Sequence, residues 1–447
     1  SGDSFVIPSG ATITNNGTQT GFGAAGAVDW VTTAQTGTVT AATGKGYFVN
    51  TTSGGITVNL PAGAAGSIVA VADYTRTFAD NNCTVAPNGS EKIGGVAASA
   101  TLDVNGQSAT FVYVDGTEGW INVQETQTSQ TGLPPFISAT GGTVTTSGDY
   151  KIHTFTGPGS FVVSSAGTAA PSSGTGSNTF DYLVVAGGAS GGGGWGGGGG
   201  AGGYRESGGT TNGSYTVSPL GSSPTSVAAL TLTPSTTYPI TVGAGGAAVS
   251  GSYGGGTSGN VGSSSIFSSI TSAGGGRGGG STSATAPNPD ADGGNGGSGG
   301  GACWDTPGTG GTAAGGTGNT PPVSPPQGSN GGTGRHLGPS YNSAGGGGGA
   351  LAAGGNQAPG SSGQAGGGGA TSSINGTPTA RAGGGGAAGS PAAGGSGGGG
   401  AGQAPPGSGT TGTSGTVNTG GGGGASINTF TSGAGGSGLV IIRYKFQ

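Results

Sequence analysis

Apolar and polar positions alternate over short stretches through the first 180 residues, and then the apolar positions almost stop. The alternation has period two, the signature of half-buried strands. It predicts strands at 47–50, 56–60, 68–72 and 101–104. "LDVNGQSATFVYV" places Asn105-Gly106 between two alternating runs, which predicts a hairpin because both residues tolerate positive φ. "TFVYVDGTEGWINV" predicts a second hairpin turning near Asp115-Gly116. No stretch carries a helical period of useful length.

This patterning divides the chain. Residues 1–30 read as a shaft-like β segment and 31–123 as a small β domain. Its large apolar residues are Trp30, Tyr47, Phe48, Phe111, Tyr113 and Trp120, expected in its core or half buried. Residues 124–135, polar and ending in a Pro pair, read as a linker. A β segment at 136–186 includes "YKIHTFTGPGSFVV", expected as a hairpin turning at Gly157-Pro158-Gly159. It ends in the apolar strand "FDYLVVAGG", and residues 439–447 form an equally apolar closing strand. The simplest geometry pairs these two in one sheet, with 187–438 as an excursion between them.

That excursion is glycine-rich. Residues 1–180 hold 28 of the 117 glycines and the remainder holds 89. Between 274 and 438 only nine residues are Val, Ile, Leu, Phe, Trp or Tyr. At roughly 25 cal/mol per Å², nine such side chains cannot offset an ordering cost of about 1–2 kcal/mol per residue. The backbone itself must supply the cohesion. Polyproline-II geometry has three residues per turn and no internal hydrogen bonds, so its amides and carbonyls point outward. Glycine lets neighbouring segments approach closely enough to satisfy them laterally. Runs without a bulky residue occur at 293–301, 344–350, 365–370, 382–388, 394–402 and 420–425. The expected fold is all-β N-terminal modules plus a C-terminal polyglycine-II helix bundle, with essentially no α-helix.

Candidate chemistry is sparse. The chain carries 10 Lys+Arg against 15 Asp+Glu, so it lacks the basic clusters of a nucleic-acid or anionic-lipid surface. No apolar run nears 18 residues, which predicts no membrane insertion. The chain starts at Ser1 and has no methionine, as in a processed or partial product. Cys83 and Cys303 lie far apart and read as buried small hydrophobes. GxGxxG matches follow from composition alone and carry no weight. Of two histidines, His153 alternates within a strand as a sheet-face residue, and His336 sits in a loop beside Arg335. No cofactor and no catalytic constellation are expected. Asp290 and Asp292 are a weak calcium candidate, since hard cations favour clustered oxygens. Trp304 beside Asp305 is a weak sugar-binding pair. The large and charged residues of the glycine zone fall between runs: Trp304, Asp305, Arg335, His336, Tyr341, Asn342 and Arg381. Such segments reverse direction at bundle ends, so these residues are the candidate contacts.

"DYLVVAGG…GGGGAGGYRES", "YPITVGAGG", "GSSSIFSSITSAGGG" and "GGSGLVIIRY" resemble the glycine-rich domain of tailed-bacteriophage fibre proteins and distal adhesins. "GYFVNTTSGGITVNLPAGAAGSIVAVADY" with "ATFVYVDGTEGW" resembles a β module of virion proteins from phages of marine bacteria. The resemblance implies a non-enzymatic, extracellular virion appendage. Its loops at a bundle tip would bind a host receptor, an outer-membrane protein or a glycan. Other virion tail proteins and a homotrimeric assembly are implied as partners. Other readings are a purely structural head fibre or decoration, and an extracellular adhesive or matrix filament. An ice-binding bundle would need a flat, regular face, against which the irregular loops argue.

Overall fold

The computed structural model describes residues 28–124, 137–165, 179–209, 215–222, 227–251, 255–281, 290–304, 312–336, 342–358, 362–389, 392–404 and 411–446, with His336 and Asn342 as backbone only. The shaft-like reading of 1–27, the linker up to 135, Asp305 and Tyr341 lie outside these residues. The chain divides into two compact units, Ser1–Pro134 and Pro135–Gln447. The described residues are nearly all β or extended; the one α-helix among them is Pro219–Ser222, a single turn. None of their helices is long and apolar enough to cross a membrane.

The first unit contains β1 (Asp29–Gln35), β2 (Val39–Thr40), β3 (Lys45–Val49), β4 (Ile56–Asn59), β5 (Ile68–Asp73), β6 (Cys83–Ala86), β7 (Ala100–Leu102), β8 (Ser108–Asp115) and β9 (Gly119–Asn122). The strands form two sheets, β1-β3-β5-β8-β9 and β2-β4-β6-β7, and β1 to β6 alternate between them. The pairs β1-β3, β3-β5, β2-β4 and β4-β6 are parallel, as in a short coil winding round one core. Antiparallel β7, β8 and β9 close it. Val49, Val58, Val71, Val85, Leu102, Phe111 and Trp120 fill the interior. Cys83 is buried there, and burial pushes its thiol up to about 12.

Local turn chemistry marks where the chain bends but not what pairs. The hairpin at Asp115-Gly116 forms as expected between β8 and β9, with Asp115 accepting from the amides of Thr117 (2.7 Å) and Glu118 (2.9 Å). Asn105-Gly106 makes no hairpin. Gly106 turns at φ 81°, yet β7 joins one sheet and β8 the other. Trp30 also departs from expectation, being 37% exposed rather than in the core.

The second unit frames the glycine zone with two sheets. One contains β10 (Ser138–Thr140), β13 (Gly159–Ser165), β17 (Thr236–Thr241), β18 (Ser265–Phe267) and β19 (Ile270–Ser272). The other runs β11 (Thr143–Ser147), β12 (Tyr150–Phe155), β25 (Leu439–Lys445), β14 (Thr179–Val185), β15 (Tyr204–Glu206), with β16 (Leu230–Thr231) also on β14. The expected Gly157-Pro158-Gly159 hairpin is a crossover, because β12 and β13 belong to different sheets. The two apolar bracketing strands do pair, antiparallel, with Leu183 opposite Ile441. They read as unbroken apolar runs because both faces are covered. Tyr182, Val184, Val440, Ile442 and Tyr444 pack towards the other sheet. Leu183, Val185, Leu439 and Ile441 pack on Ala201, Ala350, Ala370 and Ala382 at the ends of glycine runs. His153 is buried in the first of these layers and not on an open sheet face. Its Nδ1–H donates to the Gly141 carbonyl (2.6 Å), its Nε2 accepts from the Tyr444 hydroxyl (3.1 Å), and burial lowers its pKa.

The glycine runs form few ladders and no helices, but they bond sideways in a regular way. Run 196–203 lies at the centre. Gly197, Gly200 and Gly203 donate to Gly279, Gly276 and Ala273 of one neighbour, descending by three. Gly198 and Ala201 donate to Gly345 and Gly348 of a second; Gly199 and Gly202 donate to Gly423 and Gly420 of a third. Three further runs donate into it, from Ala189 and Gly192, from Ser298 and Gly301, and from Gly385 and Ala388. One run therefore bonds six neighbours with a three-residue period. A Cβ at Gly197, Gly198, Gly199, Gly200 or Gly202 would collide with a neighbouring carbonyl oxygen. At the rim, side chains replace the missing carbonyls. Asp292 accepts from the Ala314 amide (2.7 Å), Asn295 from Thr317 (2.7 Å), Asn330 from Gly318 (2.8 Å) and Asn356 from Thr333 (3.0 Å).

Gly199→Ala places a methyl against the Ala189 carbonyl and is expected to destabilise the second unit by about 3 kcal/mol, combining overpacking with lost backbone bonds. Gly157→Ala meets nothing within 4 Å and should change stability by less than about 0.5 kcal/mol. Denaturant unfolding of both variants measures this; equal effects would contradict the close-approach argument.

Candidate functional site

The hydrogen-bond register fixes two ends of the glycine zone. Strands β14 and β15 leave the sheet into runs 186–193 and 196–203, which are antiparallel, since Ala186 donates to Gly203 and Gly192 to Gly197. Residues near 203 therefore mark the strand end and residues near 195 the far end.

At the far end the chain reverses through Gly194 and Trp195, both at positive φ (66° and 68°). Glycine takes this conformation freely, whereas tryptophan takes it at a cost. The Trp195 amide donates to the Ser426 carbonyl at 2.8 Å, and its indole Nε1 donates to Asn428 Oδ1 at 3.3 Å. Its ring lies 5.7 Å from that of Trp304, at 49°. Trp195 packs on Ala302 and Cys303 on one side and on Ala388, Ala425 and Ile427 on the other. It closes the end of the central run. Its signal in the sequence is a lone tryptophan between two glycine runs.

Run 298–304 is antiparallel to 196–203, which brings Trp304 to this same end. Trp304 is buried, so the expectation of an open aromatic anchor is corrected: its ring covers apolar run ends. The Cys303 thiol donates to the Trp304 carbonyl at 2.9 Å. Arg335 and His336 lie on β21 (Gly334–His336), which pairs with β20 (Thr312–Ala313) and with β22 (Asn342–Ser343). Gly334 abuts Cys303, so this small sheet also belongs to the far end. Arg335 is half-buried. Phe430, 38% exposed, follows Asn428 here.

Arg381 does not join them. It ends β24 (Thr379–Arg381), which pairs with β23 (Ala370–Ser372). Run 382–389 is antiparallel to 196–203, with Gly385 bonded to Gly199 and Ala388 to Gly196. Arg381 thus sits at the strand end, buried beside Tyr204 and Glu206. Arg381 is buried and lies on a strand, where the sequence reading expected a loop. Asp290 and Asp292 have protein partners. Asp290 Oδ1 is 3.9 Å from the Arg277 guanidinium, and Asp292 serves the Ala314 amide. No cluster of three His, Cys, Asp or Glu side chains suited to a metal occurs among the described residues.

The strand end holds a polar cluster that sequence reasoning did not single out. Glu206 Oε2 accepts from the Tyr204 hydroxyl (3.0 Å) and the Ser218 amide (3.1 Å); Oε1 accepts from Ser372 Oγ. Nearby, Ser207 Oγ donates to Asp181 Oδ1 (2.9 Å). Arg443, across from Asp181 on β25, lies over the Tyr150 ring at 4.4 Å. These groups come from segments distant in sequence, which is why no local motif announced them. The cluster ties the sheet to β23 and β24. The cleft beside Tyr204 and Glu206 has a cavity volume of ≈ 10 Å³, about the room of one water, so the cluster reads as structural.

Burial holds the Glu206 carboxyl above its ordinary value of 4.5, against the opposing hydrogen bonds from Ser218, Ser372 and Tyr204. The fold therefore favours its protonated form. The stability this contributes is present below about pH 4.5 and is lost as pH rises through the folded value. Glu206→Gln should remove that fall, so wild type and variant stabilities diverge as pH rises above about 4.5. Denaturant titration across this range tests it; parallel pH profiles would contradict the assignment.

No curated protein matches the chain. A family model described as a glycine-rich domain matches residues 163–445. Those residues contain most of the second unit, including both bracketing strands; β10, β11 and β12 precede them. The chain belongs to the glycine-rich domain family.

Proposed function

We propose that the chain is part of a phage virion appendage, a tail fibre or distal adhesin, whose glycine zone is a polyglycine-II bundle that presents its far end to a host-cell receptor. The observation that carries this reading is the central run bonded to six neighbours with period three. Three residues per turn is the polyproline-II repeat. A scaffold bonded in this way is stiff, so little ordering cost falls on the binding step. The chain reversals at the far end carry partly exposed residues of varied chemistry, Arg335, Asn356 and Phe430 among them. The resemblance of the bracketing segments to phage fibre proteins supplies the biological setting.

A second reading has one specific support. Trp195 and Trp304 cover each other and the run ends, as the cap of a purely structural virion protein would.

Antibodies against the chain should label purified virions in electron microscopy, and the purified chain should block virion adsorption to the host. Arg335→Ala with Phe430→Ala should weaken that block about tenfold, the scale of a modest contact residue pair. Labelled virions with no competition would favour the structural reading. Unlabelled virions would overturn both.

A further inference from the structure

The first unit carries an aromatic ladder outside its core. Trp30 on β1 stacks on Phe48 of β3, with ring centroids 4.7 Å apart and 28° between planes. Phe48 in turn meets Tyr74, just beyond β5, edge-on at 6.4 Å. Trp30 is 37% and Tyr74 58% exposed. The three rings contribute nothing to the buried interior, which closes with Tyr47, Val49, Val71 and Phe111 from the same strands.

Register defines the surroundings of the ladder. Trp30 pairs with Gly46, Gly46 with Ala70, and Ala70 with Thr110. Phe48 pairs with Ala72, and Ala72 with Ser108. Paired residues project to one side of a sheet. The face is therefore an aromatic wall over β1 and β3 beside a low floor of Gly, Ala, Ser and Thr. A Cβ at residue 46 would stand 2.7 Å from the Trp30 ring, so the indole rests directly over Gly46. Beside Phe48, the Asn50 carbonyl oxygen Oδ1 is occupied by Thr52 and Thr75, which turns the Asn50 amide nitrogen away from these partners. None of the paired residues named here carries a charge.

From this face we infer a binding site for a neutral glycan in the first unit. The argument is chemical. A pyranose ring presents aliphatic C–H groups on its faces and hydroxyls at its rim. The C–H faces are attracted to the electron-rich faces of Trp and Tyr, and the hydroxyls match Ser, Thr and Asn groups beside them. An uncharged face offers nothing to a uronate or sulfated chain, so the ligand is neutral. The accessible part of the low floor, Ala72, Ser108 and Thr110, admits a sugar ring alongside the wall, where bulky side chains would exclude it; Gly46 and Ala70 are covered. The site is independent of the role proposed for the far end of the second unit.

The test is affinity electrophoresis of the full chain in native gels containing a soluble β-1,4-glucan, a mannan or a galactan, with polygalacturonate as the anionic probe. At least one neutral polysaccharide should retard the chain. Trp30→Ala and Tyr74→Ala should each weaken retardation at least tenfold, and Gly46→Ala should weaken it by displacing the indole. Tyr74 is mostly exposed, so Tyr74→Ala leaves the fold intact even where Trp30→Ala perturbs β1. Oligosaccharide from the retarding polymer should shift tryptophan emission, and Trp30→Ala should abolish the shift, because Trp120 and Trp304 are buried and half-buried Trp195 belongs to the second unit. Absence of retardation by all three neutral polymers, retardation by polygalacturonate alone, or unchanged retardation of Tyr74→Ala would overturn the site.

Discussion

Everything in the second unit depends on backbone amides and carbonyls finding partners in neighbouring segments. The central run has no side chain beyond Ala201, and its donors and acceptors reach six other runs. An unpaired buried amide would cost about 1–3 kcal/mol, so the whole zone is cooperative in the sense that no run can leave alone. The same requirement sets composition. A Cβ in the central run would meet a neighbour's carbonyl, which excludes every residue but glycine at most positions. Ala201 is tolerated because its methyl joins the apolar layer under Leu183 and Val185.

Interior and rim follow different rules. Inside, carbonyls of other runs complete every direction. Outside, one neighbour is missing, and Asp292, Asn295, Asn330 and Asn356 supply an oxygen in its place. The polar interruptions of the glycine pattern are thus part of the bonding scheme. At the two ends the scheme stops, and there the rare large residues collect. Trp195 and Trp304 cover the far end. Glu206, Tyr204 and Arg381 join sheet and runs at the strand end. The two β units solve the ordinary problem of burying apolar faces, and the first does so while leaving three aromatic rings outside its core.

This arrangement separates the bonded runs from the segments that join them. The laterally bonded runs hold their ends in place without a large hydrophobic core. The lateral bonds run up to the ends, where the Trp195 amide still donates to Ser426 and Ala388 to Gly196. The first unit shows the same economy in another form, with a small coiled core and a chemically distinct outer face.

Period-two alternation determined β3, β4, β5, β7, β8 and β9 of the first unit, since it depends only on which side chains meet water, but it did not mark β1, β2 or β6. Composition determined that residues 274–438 cohere through the backbone, because nine large apolar residues cannot form a core of that length. The pairing of β14 with β25 was legible for a related reason: two isolated apolar strands bracketing a polar zone have only each other to cover them. Tertiary structure alone decided the rest. It placed β7 and β8 in different sheets, although Asn105-Gly106 carries hairpin chemistry. It sent Arg381 to the end opposite Trp304, because alternate reversals of an antiparallel array fall at opposite ends and residue spacing does not say which. It made Trp30 a surface residue and Trp304 a buried one, since exposure depends on neighbours that arrive from distant parts of the chain.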